Sequence, residues 1–305
     1  MSKRGACVTQ FSPFKPIELA DYDALHPRFW AYQPQTSEIN FANLFIWREH
    51  YNLQWTLYEE WLILLAEDVN GDAYGLPPVG PANRSEVTRA FLTWLRDTRG
   101  SAAPRIERAD ARLVAELSED EFTITPTRDH FDYVYEREAL ATLSGRKYSN
   151  KRNHINAFMR KQEYTYEPLT ADNVAACLKM ACIWCQMYRC KDDLSLTEEC
   201  EAVREALEHF TVLPLKGGVI RVEGQVQAFT IGEHLNSQTA VIHIEKANPE
   251  IRGLYPLINR EFVRTAWEEV AYINREQDLG EPGLRRAKKS YYPERLEEKY
   301  RVTLA

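Results

Sequence analysis

Two tracts carry residues whose types and spacing suit transfer chemistry on an anionic ligand. The first runs Asn274-Arg275-Glu276-Gln277-Asp278-Leu279-Gly280 directly after a strand-like stretch, and continues to Lys288, Lys289, Ser290, Tyr291 and Tyr292. Strand ends in α/β sheets commonly carry sites. Glu276 and Asp278 have the chemistry of a base or a hydrogen-bond acceptor. Asn274 and Arg275 would line the same loop. Arg285, Arg286, Lys288, Lys289, Tyr291 and Tyr292 supply cations and rings suited to phosphate and base contacts. The bland alternative is a capped helix with surface charges.

The second tract, Arg146 to Lys161, holds Lys147, Lys151, Arg152 and Asn153 and contains no acidic residue. Lys147 and Lys151 lie four apart and so share a helix face. Ile155, Phe158 and Met159 offer the packed face. A cationic helix start in an acidic chain of formal charge −7 points to phosphate, nucleotide or RNA backbone. A solvated face paired with acids is the competing reading. A third pair, His243 and Glu245, is spaced two apart on a strand and so faces one side. Beside Glu245 the imidazole becomes an acid–base candidate, although a strand His is more often structural.

Other chemistry finds less support. The chain has no GxxxxGK[ST], GxSxG, HExxH or GxGxxG. Its cysteines are Cys7, Cys177, Cys182, Cys185, Cys190 and Cys200. Cys182 and Cys185 form a lone CxxC with no second half of a zinc set, so no metal site is expected. Free, buried packing thiols are the expectation. No apolar run reaches the ~20 residues of a membrane span, and no signal peptide is read, so a cytoplasmic location is expected.

The elements that must position these residues alternate helix and strand, which predicts a mixed α/β architecture. Helices are expected over 84–99, 109–117, 147–162, 171–190, 197–210 and 254–269. Strands are expected over 53–58, 61–66, 131–135, 219–223, 225–233, 239–245, 270–274 and 299–304. With 305 residues, two domains are favoured, drawn as 1–165 and 166–305.

The order strand, turn, strand, strand, Arg252-Gly253 loop, long helix, strand, helix, strand resembles the GNAT acyltransferase fold. More specifically, Ile273 to Gly280 with Leu284 to Pro293, and Leu143 to Lys147 with Lys151 to Asn153, resemble the family of the C-terminal domain of phosphatidylglycerol lysyltransferase. The resemblance implies two tandem GNAT-like domains and transfer of an acyl or aminoacyl group, with aminoacyl-tRNA as donor. Acetyl-CoA or CoA is the other donor that such a fold implies. Its glycine-rich pyrophosphate turn is here Asn248 to Pro256, where Tyr255 adds bulk and Pro256 lacks an N–H. Lys147, Lys151, Arg152 and Arg252 are then expected on the donor, Asn274, Glu276 and Asp278 on the acceptor, and Lys288 and Tyr291 near the carbonyl. A non-catalytic protein that binds a nucleotide or RNA end on the same fold is the alternative.

Overall fold

Hydrophobic strand runs punctuated by tight turns build two seven-stranded mixed sheets. The computed structural model describes Phe11 and residues 13–188 and 194–305. Cys7 and Cys190 lie outside the described residues. The chain divides into two compact units, one of Met1–Phe131 with Glu297–Ala305 and one of Asp132–Leu296.

The first unit contains β1 (Lys15–Pro16), α1 (Tyr22–Tyr32), α2 (Phe41–Ile46), β2 (Gln54–Tyr58), β3 (Trp61–Glu67), β4 (Ala73–Gly75), α3 (Ser85–Asp97), β5 (Ile106–Ala109), α4 (Ala111–Val114) and β6 (Phe122–Pro126). The second contains β7 (Asp132–Glu136), α5 (Arg137–Thr142), α6 (Ser149–Met159), β8 (Tyr164–Pro168), α7 (Val174–Met187), α8 (Leu194–Glu208), β9 (Lys216–Val222), β10 (Gln225–Asn236), β11 (Thr239–Ala247), α9 (Leu254–Ala266), β12 (Tyr272–Asn274), α10 (Pro282–Lys289) and β13 (Arg295–Glu297). A last strand, β14 (Tyr300–Leu304), returns to the first unit's sheet between β5 and β6.

Each sheet repeats one plan. Antiparallel strands β2, β3 and β4 are followed by the crossover helix α3 and the parallel partner β5. In the same way β9, β10 and β11 are followed by α9 and the parallel β12. This is the tandem GNAT-like arrangement that the family resemblance implies. The helices cross over because a parallel pair needs a long return. In α3, Val87, Phe91, Leu92 and Leu95 face the core against Ile63, Leu65 and Ile106. In α9, Leu254, Leu257, Ile258 and Phe262 do the same with Ile220, Ala228 and Ile273.

Three details differ from the sequence reading. The strand β7 and the helices α5 and α6 precede residue 165, yet β7 pairs with β12 and all three belong to the second unit. Long-range pairing decides this, not local propensity. The helix expected over 109–117 is the single turn α4, capped by Asp110, whose carboxylate accepts from the Leu113 N–H at 2.9 Å. The expectation of free thiols fails at Cys185 and Cys200, which form a disulfide joining α7 to α8. Two residues fifteen apart meet because the helices fold back on each other. Cys177 stays a buried thiol, and burial pushes it up to about 12.

One glycine is indispensable to this packing. Gly253, ahead of α9, has φ +97°, and a Cβ there would lie 2.5 Å from the His154 carbonyl oxygen and 3.2 Å from Phe158 Cβ. Backbone strain and a backbone clash then add. Gly253→Ala is expected to cost about 2–4 kcal/mol in urea denaturation. A loss below about 1 kcal/mol would contradict this packing.

Candidate functional site

The site forms where the second sheet splays. Parallel pairing of β11 and β12 is limited to Thr239, Ala240 and Val241 against Tyr272, Ile273 and Asn274. Beyond that point β12 ends and β11 runs on to Ala247. Side chains span the divergence instead of backbone hydrogen bonds. His243 reaches Glu276, and Glu245 reaches Arg275 at 2.9 Å.

His243 is buried between two carboxylates. Its Nδ1–H donates to Glu276 at 2.8 Å and its Nε2–H to Glu233 at 3.0 Å. Burial opposes its charge, but the hydrogen bonds to Glu233 and Glu276 outweigh that and raise it to about 9. It is therefore an imidazolium at neutral pH, with both ring nitrogens donating. Of the two carboxylates, Glu233 is buried and Glu276 is 21 % exposed.

A cationic cluster lies beside it. Arg275 donates to Glu245 and lies 4.6 Å over the Tyr291 ring. Burial opposes its charge; Glu245 wins and holds its pKa above the usual range. Its Nη1 end is buried without a hydrogen-bond acceptor. Lys151, from α6, lies 3.8 Å over the same Tyr291 ring. Lys288, from α10, donates to the Arg275 carbonyl and, at 3.2 Å, to that of Glu276. Burial, helped by Arg275, lowers Lys151 and Lys288 each to about 8. Glu245 acts on all three cations, with Glu276 and Asp132 also near Lys288, and its other oxygen accepts from Asn259 at 2.8 Å.

Other residues hold the loop. Asn274 is buried, donates to Asp132 at 3.0 Å and accepts the Glu276 N–H at 2.7 Å. That contact fixes Glu276 in its left-handed conformation, φ +57°. Asp278 accepts from Tyr133 at 2.6 Å, from the Gly280 N–H at 3.0 Å and twice from Arg285 at 2.8 Å. Burial opposes its charge, but Arg285 and Tyr133 hold it well below the usual carboxylate range. This geometry makes Asp278 a positioning residue. The hydroxyls of Tyr135 and Tyr148 donate to the carbonyls of Lys288 and Tyr291 at 2.8 and 2.9 Å. Three buried tyrosines thus staple residues 278–291 to β7 and to the turn that opens α6.

The structure therefore brings together Lys151, His243, Glu245, Arg275, Glu276, Lys288 and Tyr291. It does not gather the rest there. Arg152 donates to the carbonyls of Leu143 and Gly145, closing the end of α5. Arg252 donates to His154 at 3.1 Å, and Tyr255 accepts from Trp184 at 3.1 Å. Lys147 is exposed, 5.5 Å over Tyr292, and Asn153 is exposed. Glu233 and the tyrosines of β7 were missed. A lone Glu within the apolar run Ala228–Leu235, one hairpin away from His243, was the signal for Glu233. Among the described residues no three His, Cys, Asp or Glu side chains group to hold a metal ion. No described helix is long and apolar enough to cross a membrane.

The chain is 35 % identical to a conserved protein of unknown function from Bacteroides thetaiotaomicron, with 97 % of this chain and 100 % of that one covered and a TM-score of 0.89. The C-terminal domain of a putative lysylphosphatidylglycerol synthetase from Agrobacterium fabrum shares the fold at 13 % identity and TM-score 0.65, over 93 % of this chain and 92 % of that one. FemX shares it too, at 10 % identity and TM-score 0.58, over 96 % and 98 % of the two chains. An uncharacterised protein of Mycoplasmoides gallisepticum is 25 % identical over 175 residues. That match covers 56 % of this chain and about half, 55 %, of the curated relative. Residues 30–303 match the family model described as phosphatidylglycerol lysyltransferase, C-terminal, and the chain belongs to that family.

Proposed function

We propose that this protein is an aminoacyltransferase that takes an aminoacyl group from aminoacyl-tRNA and passes it to an amine or hydroxyl acceptor. The observation that carries this reading is the cationic cluster of Lys151, Arg275 and Lys288 at the splay of a GNAT-like sheet, in a chain of net charge −7. Two cations over one aromatic ring, with the Lys288 ammonium beside them on the Arg275 and Glu276 carbonyls, suit the phosphate and ribose end of a nucleic acid. The Arg275 guanidinium, held by Glu245 and Tyr291, supplies fixed positive charge at the splay. Glu276 is the partly exposed carboxylate at the splay, and His243 fixes its position. It takes the proton from the acceptor as the carbonyl is attacked. An aminoacyl-tRNA donor places the reaction in the cytoplasm.

Acetyl-CoA fits less well. The backbone ahead of α9, where this fold would seat a pyrophosphate, packs against the His154 carbonyl at Gly253 and has Pro256 within its first turn. A second reading, a non-catalytic binder of RNA ends, is favoured by the full engagement of Asp278 and Glu245.

Filter binding with a mixture of radiolabelled aminoacyl-tRNAs tests the proposal, alongside a thermal-shift assay with acetyl-CoA. Retention of tRNA that falls steeply with salt is expected. Acetyl-CoA is expected to leave the melting temperature unchanged. The double variant Lys147→Ala with Lys151→Ala should weaken retention about tenfold. A melting rise with acetyl-CoA and no retained tRNA would overturn the donor assignment. Retention without consumption of the aminoacyl ester by any amine or hydroxyl acceptor would favour the binding reading.

A further inference from the structure

We propose that the side-chain amine of Lys151 is an acylation site, attacking activated carboxylic esters and acyl phosphates to become an Nζ-acyl-lysine. The geometry carries this independently of the donor assigned above. Lys151 is half-buried on α6 and makes no hydrogen bond or ion pair, unlike Lys288, whose ammonium is tied to two carbonyls. Its amine is held in place by Tyr291, 3.8 Å beneath it.

The groups that face it push in one main direction. Arg275, on the same ring, repels an ammonium, as does His154 when protonated. Glu245 favours the ammonium but is spent on Arg275 and Asn259. The Tyr291 face also favours the charged form. Burial and Arg275 prevail and lower the amine to about 8, so a sizeable fraction is neutral and nucleophilic near neutral pH.

The step balances without a co-reactant. The neutral nitrogen attacks the carbonyl carbon, a C–N bond forms, and the C–O bond to the leaving group breaks. The leaving group departs with the bonding pair, and the extra proton on nitrogen goes to solvent. The Arg275 guanidinium, over the same ring, lends positive charge near the developing anionic oxygen. The product amide carries no charge, so acylation removes one of the three cations of the cluster.

The test uses the full chain and needs no tRNA, so its failure is separate from failure of the donor reading. The protein is treated with limiting p-nitrophenyl acetate or acetyl phosphate between pH 6 and 10, then mapped by peptide mass spectrometry. At pH 7.5, Lys151 is expected to acetylate about tenfold faster than the exposed Lys161 and Lys289, once the weaker base's lower nucleophilicity is discounted. Its rate should reach half-maximum near pH 8. Arg275→Gln should move that midpoint upward. Labelling of Lys151 no faster than Lys161 and Lys289 would overturn the proposal, and this comparison requires no variant to fold.

Discussion

His243→Ala is expected to lower stability by about 3–5 kcal/mol, the cost typical of removing one partner from a buried ion pair. The imidazolium is the shared partner of Glu233 and Glu276, and Glu233 is 1 % exposed. Removing it leaves a carboxylate in the core with nothing to neutralise it. A fall of roughly 10 °C in melting temperature follows from a loss of that size. The pH dependence has a definite sign. His243 is raised from 6.5 to about 9, so its contribution is fully present below pH 6.5 and is lost as pH rises through about 9. The difference between wild type and variant should therefore shrink between pH 6.5 and 9.5. Adding Glu233→Gln to His243→Gln removes a buried charge and should recover part of the loss. Urea denaturation at pH 6 and pH 9.5 decides it: a difference below about 1 kcal/mol at pH 6, or one that does not change with pH, would show that the imidazolium is not the group holding these carboxylates.

Arg275→Gln should weaken binding of aminoacyl-tRNA by about 30- to 100-fold, the equivalent of roughly 2–3 kcal/mol for a desolvated charge-assisted contact. Glu245 would keep Asn259 but lose its cation. Arg275→Lys should not restore binding, because a compact ammonium cannot present spaced donors to Glu245 and to a ligand oxygen at once, as the guanidinium fork does beside Tyr291. The salt slope of binding should fall with the affinity. Unchanged retention in a variant that still melts cooperatively would remove Arg275, and with it the cluster, from the donor site.

Much of the second unit was legible because its signals are local. The alternation in β9 to β11, the apolar face of α9 and the dense polar run after β12 each depend on neighbours within a few residues. The α3 and α9 crossovers follow from the same periodicity. Lys151, Arg275, Lys288 and Tyr291 could be singled out by type and charge. That Lys151 and Arg275 share the Tyr291 ring could not, because Tyr291 lies 140 residues from Lys151 and only packing joins them. Asp278 shows the converse. Its sequence context suited a base, yet Tyr133, from a strand 145 residues earlier, and Arg285 consume its lone pairs.

By itself the sequence determined the mixed α/β order, the family and the charge types available at the end of β12. Tertiary structure alone decided that β7 crosses into the second sheet, that Glu233 meets His243, that Cys185 meets Cys200, and which cations share Tyr291. Periodicity fixes the face a side chain takes, whereas its partner depends on which strands pair and in what register. In β10 that register shifts between Ile231 and Gly232, which local propensity does not encode.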